Sequence, residues 1–173
     1  MIVEVGPYNP NSANEYKKEK NWLIEALGDI ATRVHHIGST SVRGLSAKPI
    51  IDILLEARSV DSLDNISTIF EVAGYEVMGE IGIGGRRYYR RGGNHRTHQI
   101  HAFEIGDPNV HRHLAFRDYL AAHPNEMAEY QELKIQLART CNHDIEVHCA
   151  GKDRFIKHHE SVALRWAPSP WEA

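Results

Sequence analysis

The sequence predicts an α/β (α+β) fold, a small mixed β-sheet flanked by helices and followed by a C-terminal helical bundle. Three observations carry that expectation. Short strand-like runs alternate with helical stripes over about residues 1–108. Ile50 to Leu55 is almost continuously aliphatic, as in a strand buried on both faces. About residues 109–167 show only helical patterning, interrupted at Pro124.

The elements follow in order. Tyr16, Trp22, Leu23, Ala26 and Leu27 lie on one stripe of a helix over 14–27, which Gly28 ends. Val34 to Ile37 reads as a short strand, and Pro49 opens the strand Ile50–Leu55. A helix over 62–73 closes at Gly74, and a strand follows over 75–78. The glycines at 79, 82, 84 and 85 mark a turn before a strand over 86–91, and a further strand spans 97–105. Helices are expected over 110–122, from a cap at Asn125 to about 139, and over 152–166. The proline-rich end APSPWEA is expected to be mobile. No linker composition divides the chain, so a single domain over 1–173 is expected.

Composition narrows the function classes. A net charge of −3 argues against a global field for nucleic acid, which is the less favoured partner. The first ten residues lack the basic start and apolar run of a signal peptide, and no stretch is long and apolar enough to span a membrane. Cys141 and Cys149 fit neither a Cys-x-x-Cys metal pair nor a disulfide framework, so reduced thiols in the cytoplasm are expected. Oligomeric state is not written in the sequence.

The chemistry concentrates in HHIGSTSVRGLSAKPIIDILLEA, His35 to Ala57. Gly38 lets the backbone approach a ligand, and Ser39, Thr40 and Ser41 offer hydroxyls and N–H groups that could wrap a phosphate. The same residues also commonly cap a short helix. Lys48 adds a mobile positive charge. Asp52 stands in an aliphatic strand, where an ionised carboxylate is costly unless paired or bound to a metal. It is the expected Mg²⁺ ligand and catalytic residue, since Mg²⁺ takes one or two carboxylates plus phosphate oxygens and water. A salt bridge to a nearby Arg or Lys is the competing explanation.

The run GGRRYYRRGGNHRTH clusters arginines around Tyr88 and Tyr89. Arg86, Tyr88 and Arg90 share one face of a strand, and Arg86 and Arg90 are assigned to phosphate binding; a solvated edge hairpin is the alternative. Twelve histidines invite a metal reading, but His35–His36 and His111–His113 diverge in direction. His159–Glu160 does not continue into a His-Glu-x-x-His motif. Alternation along the strand over 97–105 sets Gln99, His101 and Phe103 on one face and His98, Ile100, Ala102 and Glu104 on the other, and only one of these sets can point at Asp52. Arg117 with Asp118, and Lys134, are explained by packing and ion pairing.

HIGSTSVRGLSAKPIIDILLEA, HLAFRDYLAAHPNEMAEYQELKIQLA and KDRFIK closely resemble three signatures of the GrpB family, and the resemblance runs from about Tyr8 to His158. That family is similar to the nucleotidyltransferase superfamily, marked by Gly-Ser followed by a strand carrying Asp-x-Asp. The resemblance implies a nucleotidyltransferase-like fold, with Gly38 and Ser39 as the Gly-Ser pair and Asp52 as the first aspartate. It places a histidine at His101 as well, which turns that residue's face toward Asp52, counts it in the binding set and leaves Glu104 on the opposite face. It also implies Mg²⁺-dependent nucleotidyl transfer from a nucleoside triphosphate. Leu54 stands where the second aspartate belongs, which opposes a two-metal mechanism. The alternative is a catalytically inactive module for a nucleotide or a coenzyme A-like phosphometabolite. Milder departures are Ser12 for a common tryptophan, Arg43 for a common proline, and His148-Cys149 near a common tyrosine.

Overall fold

The computed structural model describes residues 3–169. Helix α1 (Ser12–Leu27) passes through a tight turn into strand β1 (Ala31–Ile37). A second tight turn, Ser39–Ser41, and an irregular segment lead to β2 (Ile51–Ala57). Short helices α2 (Val60–Asn65) and α3 (Ser67–Val72) precede β3 (Tyr75–Gly79), β4 (Arg87–Arg91) and β5 (His98–Glu104). Helices α4 (Pro108–Ala122), α5 (Pro124–Thr140) and α6 (Ile145–Trp166) follow. The strands form one mixed sheet in the order β1-β2-β5-β4-β3, as the expected α/β class requires. β2 and β5 run parallel, and the other neighbours are antiparallel.

Alternation along β2 decides what each face holds. Ile51, Ile53, Leu55 and Ala57 pack with Tyr89, Ile100 and Ala102 against Leu23 and Leu27 of α1, Leu63 of α2 and Phe70 of α3. Leu54 turns to the other face, with Ile37, Phe103 and Val110 of α4. A third cluster joins Val42 and Leu45 to Ala115, Tyr119, Tyr130 and Ala163 of the C-terminal helices. Each fully buried aliphatic side chain contributes about 1.5–3 kcal/mol. A one-residue slip of β2 would exchange Ile53 for Asp52 in the first core, so the register is strongly held.

Several elements differ from expectation for local reasons. The helix expected over 62–73 is two, because Ile66 leaves helical geometry at φ −118° and ψ 21°. Pro124 opens α5 with His123 as its N-terminal flank, so Asn125 is not the cap. Helix α6 starts at Ile145, well before 152, because the Asp144 carboxylate accepts from the N–H groups of Glu146 and Val147. Of the C-terminal stretch expected to be mobile, 170–173 lie outside the described residues. No described helix is long and apolar enough to cross a membrane.

One buried polar cluster ties α1 to the far side of the sheet. Glu19, 8% exposed, accepts from the Tyr75 hydroxyl at 2.6 Å and from Arg91 at 3.0 and 3.1 Å. Burial, and then the carboxylate, push the Tyr75 phenol far up, so it remains a donor. Replacing Glu19 by Ala leaves a guanidinium without its carboxylate in a partly buried site. We expect a loss of about 3 kcal/mol, the low end for breaking such a pair, measured as a shift in the urea unfolding midpoint.

Candidate functional site

Gly38 closes β1 with φ 72°, in the left-handed region that glycine favours. A Cβ at that position would lie 2.5 Å from Asp52 Oδ2. The turn therefore passes directly against the carboxylate only because residue 38 has no side chain. The Ser41 hydroxyl donates to the Gly38 carbonyl at 2.5 Å. The Thr40 hydroxyl donates to the Ile50 carbonyl at 3.2 Å and meets His36 Nε2 at 3.0 Å. These two hydroxyls bind the turn to itself and its surroundings by donating to carbonyls, and neither accepts from a backbone N–H as a helix cap would. The turn is only three residues long, so no helix N-terminus adds to it.

Asp52 faces a cavity of about 440 Å³ between the sheet and the C-terminal helices. Its side chain is 24% exposed, and His101 Nε2 lies 3.5 Å from Oδ1. Among the described residues no Lys or Arg forms an ion pair with it. The parallel register sets Gln99 opposite Asp52 and His101 opposite Leu54, which brings His101 to the carboxylate. Glu104 lies at the far, exposed end of β5. Tyr88 leans over His101 with ring centroids 5.3 Å apart, and His113 of α4 covers it from another side at 5.5 Å.

The opposite wall comes from α5 and α6. Lys134, only 3% exposed, donates to Ser39 Oγ at 2.8 Å and to the Ser46 carbonyl. Its ammonium sits 4.7 Å from the centre of the Tyr130 ring. Among the described residues it has no carboxylate partner, contrary to the ion pairing expected for it. Burial, then the charges of Lys152 and Lys48, lower its pKa to about 7, while Asp52 pulls the other way. Burial and Lys48 also lower Lys152. Lys48, Lys134, Lys152, Arg96 and Arg117 thus meet Asp52 and Glu160 around one cavity. Glu160 is already held by Arg112 at 2.9 Å. The cavity is cationic although the whole chain carries −3.

Two assigned arginines are not brought there. Arg86 donates to the carbonyls of Glu80 at 3.0 Å and Ile81 at 2.6 Å, and Arg90 pairs with Glu76 at 3.1 Å. Arg87 is likewise held by Asp64 and Arg91 by Glu19. From this arginine-rich run it is Arg96, in the turn before β5, that lines the cavity, joined there by Arg117 of α4. Lysines 134 and 152 and His148 were not singled out as site residues. The available signal was spacing: Tyr130 and Lys134, and His148, Lys152 and Ile156, recur on single helix faces, setting lysines on stripes that should be apolar.

The donor set does not suit a two-ion centre. Leu54 is fully buried in an apolar cluster, and Glu56 is tied to His35 at 2.6 Å. Among the described residues no three His, Cys, Asp or Glu side chains group as metal ligands. Asp52 fits at most one Mg²⁺ completed by ligand oxygens and water. Cys141 and Cys149 are unpaired thiols.

A mixed α/β sheet protein with a cationic cleft between sheet and C-terminal helices is the class that this geometry defines. The chain belongs to the GrpB family: residues 2–161 match the family described as GrpB protein. It is 46% identical to the UPF0157 protein YqkA of Bacillus subtilis over 95% of this chain and 48% of that protein. The chain thus spans about half the length of that relative. A crystal structure of the conserved protein GrpB from Enterococcus faecalis superposes with a TM-score of 0.91 at 40% identity, covering 95% of this chain and 100% of that one. Dephospho-CoA kinase of Mycobacterium tuberculosis (strain H37Rv) is 26% identical over 93% of this chain and 46% of its own length.

The depressed Lys134 pKa makes stability depend on pH. The unfolded lysine keeps its proton up to its ordinary value of 10.5, whereas the folded one releases it near 7. The unfolded state therefore binds more protons between those values, and its advantage shrinks as pH rises. Wild type should gain stability relative to Lys134→Met from about pH 7 to about pH 10, by on the order of a few kcal/mol. Parallel urea unfolding at several pH values checks this, and a constant difference would refute it.

Proposed function

We propose that the cleft binds a phosphorylated small molecule, either a nucleoside triphosphate or a coenzyme A-like phosphometabolite. The observation that carries this reading is the convergence of Lys48, Lys134 and Lys152 on the Ser39 turn, with burial and mutual repulsion depressing Lys134 and Lys152. An anion held there would be met by ammonium groups in a site of low dielectric, where charge-assisted hydrogen bonds are strong. The cavity volume of about 440 Å³ falls within the usual range for small-molecule sites. The kinship with a dephospho-CoA kinase supports the coenzyme A-like alternative. The unpaired thiols agree with a cytoplasmic location.

Nucleotidyl transfer is the second reading, favoured by Asp52, which faces the same cavity and, among the described residues, has no basic ion-pair partner other than His101. A Mg²⁺ entering with a polyphosphate would meet Asp52 as its protein carboxylate and would neutralise phosphate charge. The chain's own residues would hold the phosphates through Ser39, Lys48, Lys134 and Lys152 and position the transferred group. Leu54 favours the non-catalytic module.

Thermal shift of the full chain against ATP, UTP and coenzyme A, with and without Mg²⁺, tests both readings. A ligand at a hundred times its Kd stabilises by about 2.7 kcal/mol, a rise of several degrees. We expect that rise in wild type and its loss in Lys152→Met. Asp52→Asn should remove any Mg²⁺-dependent increment, and with it any release of pyrophosphate. No shift with any phosphorylated ligand would end the reading, and pyrophosphate release unchanged in Asp52→Asn would end the catalytic version.

A further inference from the structure

Among the described residues, the buried side-chain nitrogens without a hydrogen-bond partner are Arg96 Nε, His101 Nδ1 and both ring nitrogens of His148. All three side chains line the cavity described above. A buried polar group left unpaired costs about 1–3 kcal/mol, and folded proteins keep few of them. Their gathering in one cavity marks a surface complementary to a polar ligand.

His148 is the most demanding of them. It is 0% exposed, on the first turns of α6, and neither ring nitrogen is paired. Burial, then the charges of Lys152, Lys48 and Lys134, lower its pKa to about 4. At neutral pH the ring is therefore uncharged, with one N–H to donate and one nitrogen to accept. The surrounding lysines favour an anion. A phosphate oxygen would accept from the N–H, but a fully ionised polyphosphate has no proton for the second nitrogen. A phosphate ester with a neighbouring hydroxyl satisfies both.

We propose that His148 is a ligand-binding residue that donates to a phosphate oxygen and accepts from a hydroxyl of the same molecule, so that the cleft takes a sugar-phosphate unit in preference to bare polyphosphate. This rests on the phosphate-binding reading of the same cavity and narrows its ligand class. The unit is the same whether it belongs to a nucleotide or to a simple sugar phosphate.

Isothermal titration of the full chain at pH 7.5 separates the outcomes, using inorganic tripolyphosphate, ribose 5-phosphate and UTP. Wild type is expected to prefer the two ribose-bearing compounds by about tenfold, or 1.4 kcal/mol. His148→Phe keeps the ring volume without the nitrogens, and should lose that preference while still binding tripolyphosphate. His148→Gln restores a donor and an acceptor and should recover part of it. Should the Phe variant fail to fold, the proposal stands or falls on an altered preference in the Gln variant. Equal binding of UTP and ribose 5-phosphate identifies the sugar phosphate as the unit read; tighter UTP binding adds contacts to the base or to the further phosphates, and either supports the proposal. A preference unchanged in the foldable variants overturns the role of His148 and leaves phosphate binding intact. Wild type that binds none of the three compounds removes the phosphate reading and this one together.

Discussion

The parallel pairing of β2 with β5 decides which side chains can meet in this molecule. It sets Asp52 beside Gln99 and Leu54 beside His101, and strand alternation sends Asp52 and His101 to the face covered by α4. The same alternation commits Ile53 and Ile100 to the opposite face, under α1 and α3. Apolar burial on that face holds the register at several positions at once, so the carboxylate is presented by the core rather than by any contact of its own. Gly38 completes the arrangement. With a Cβ there, β1 could not enter its turn against the acid.

Charge is distributed against first appearance. The most basic stretch of the chain, Arg86 to Arg91, is consumed structurally: Glu76, Asp64 and Glu19 each take one arginine, and two turn carbonyls take another. The cationic character of the cleft comes instead from Lys48, Lys134 and Lys152, with Arg96 and Arg117, which are separated along the chain and meet only after the helices fold back. Exposed lysines so placed would interact weakly through water. Lys134 is buried and Lys48 and Lys152 half-buried, so the loss of hydration, and then the repulsion of these neighbours, depress Lys134 to about 7.

These contrasts explain what the sequence could and could not disclose. The strands and the separation of His101 from His98 and Glu104 were legible, because period-two alternation is local and the apolar runs are long. Which of those two faces meets Asp52 was not: the family resemblance favoured His101, and the parallel register of β2 with β5 decides it. The pairing of Glu76 with Arg90 was not, because it depends on the register of β3 against β4. The early start of α6 was hidden by Gly151 and by the turn at Asn142 and His143, both at positive φ, although Asp144 is an ordinary N-cap. Missing those residues of α6 meant missing His148 and placing Lys152 at a helix end instead of on a cavity wall. Lys134 lies on the same helix stripe as Tyr130, a place where a lysine is anomalous. Its meaning emerges only when the Ser39 turn is seen to receive it.

Leu54 and the lysines form one consistent electrostatic design. A second carboxylate at position 54 would project into the apolar cluster of Ile37, Phe103 and Val110, where its desolvation would be costly. With leucine there, the sheet contributes a single negative charge to the cleft and the helices contribute several positive ones. A bound phosphate would then be stabilised by fixed ammonium groups rather than by a pair of protein-bound ions. In the same step it would relieve the repulsion among lysines that the fold has drawn together. Ligand binding and fold stability would thereby be coupled through one group, Lys134, whose ammonium also ties the Ser39 turn to the Ser46 carbonyl.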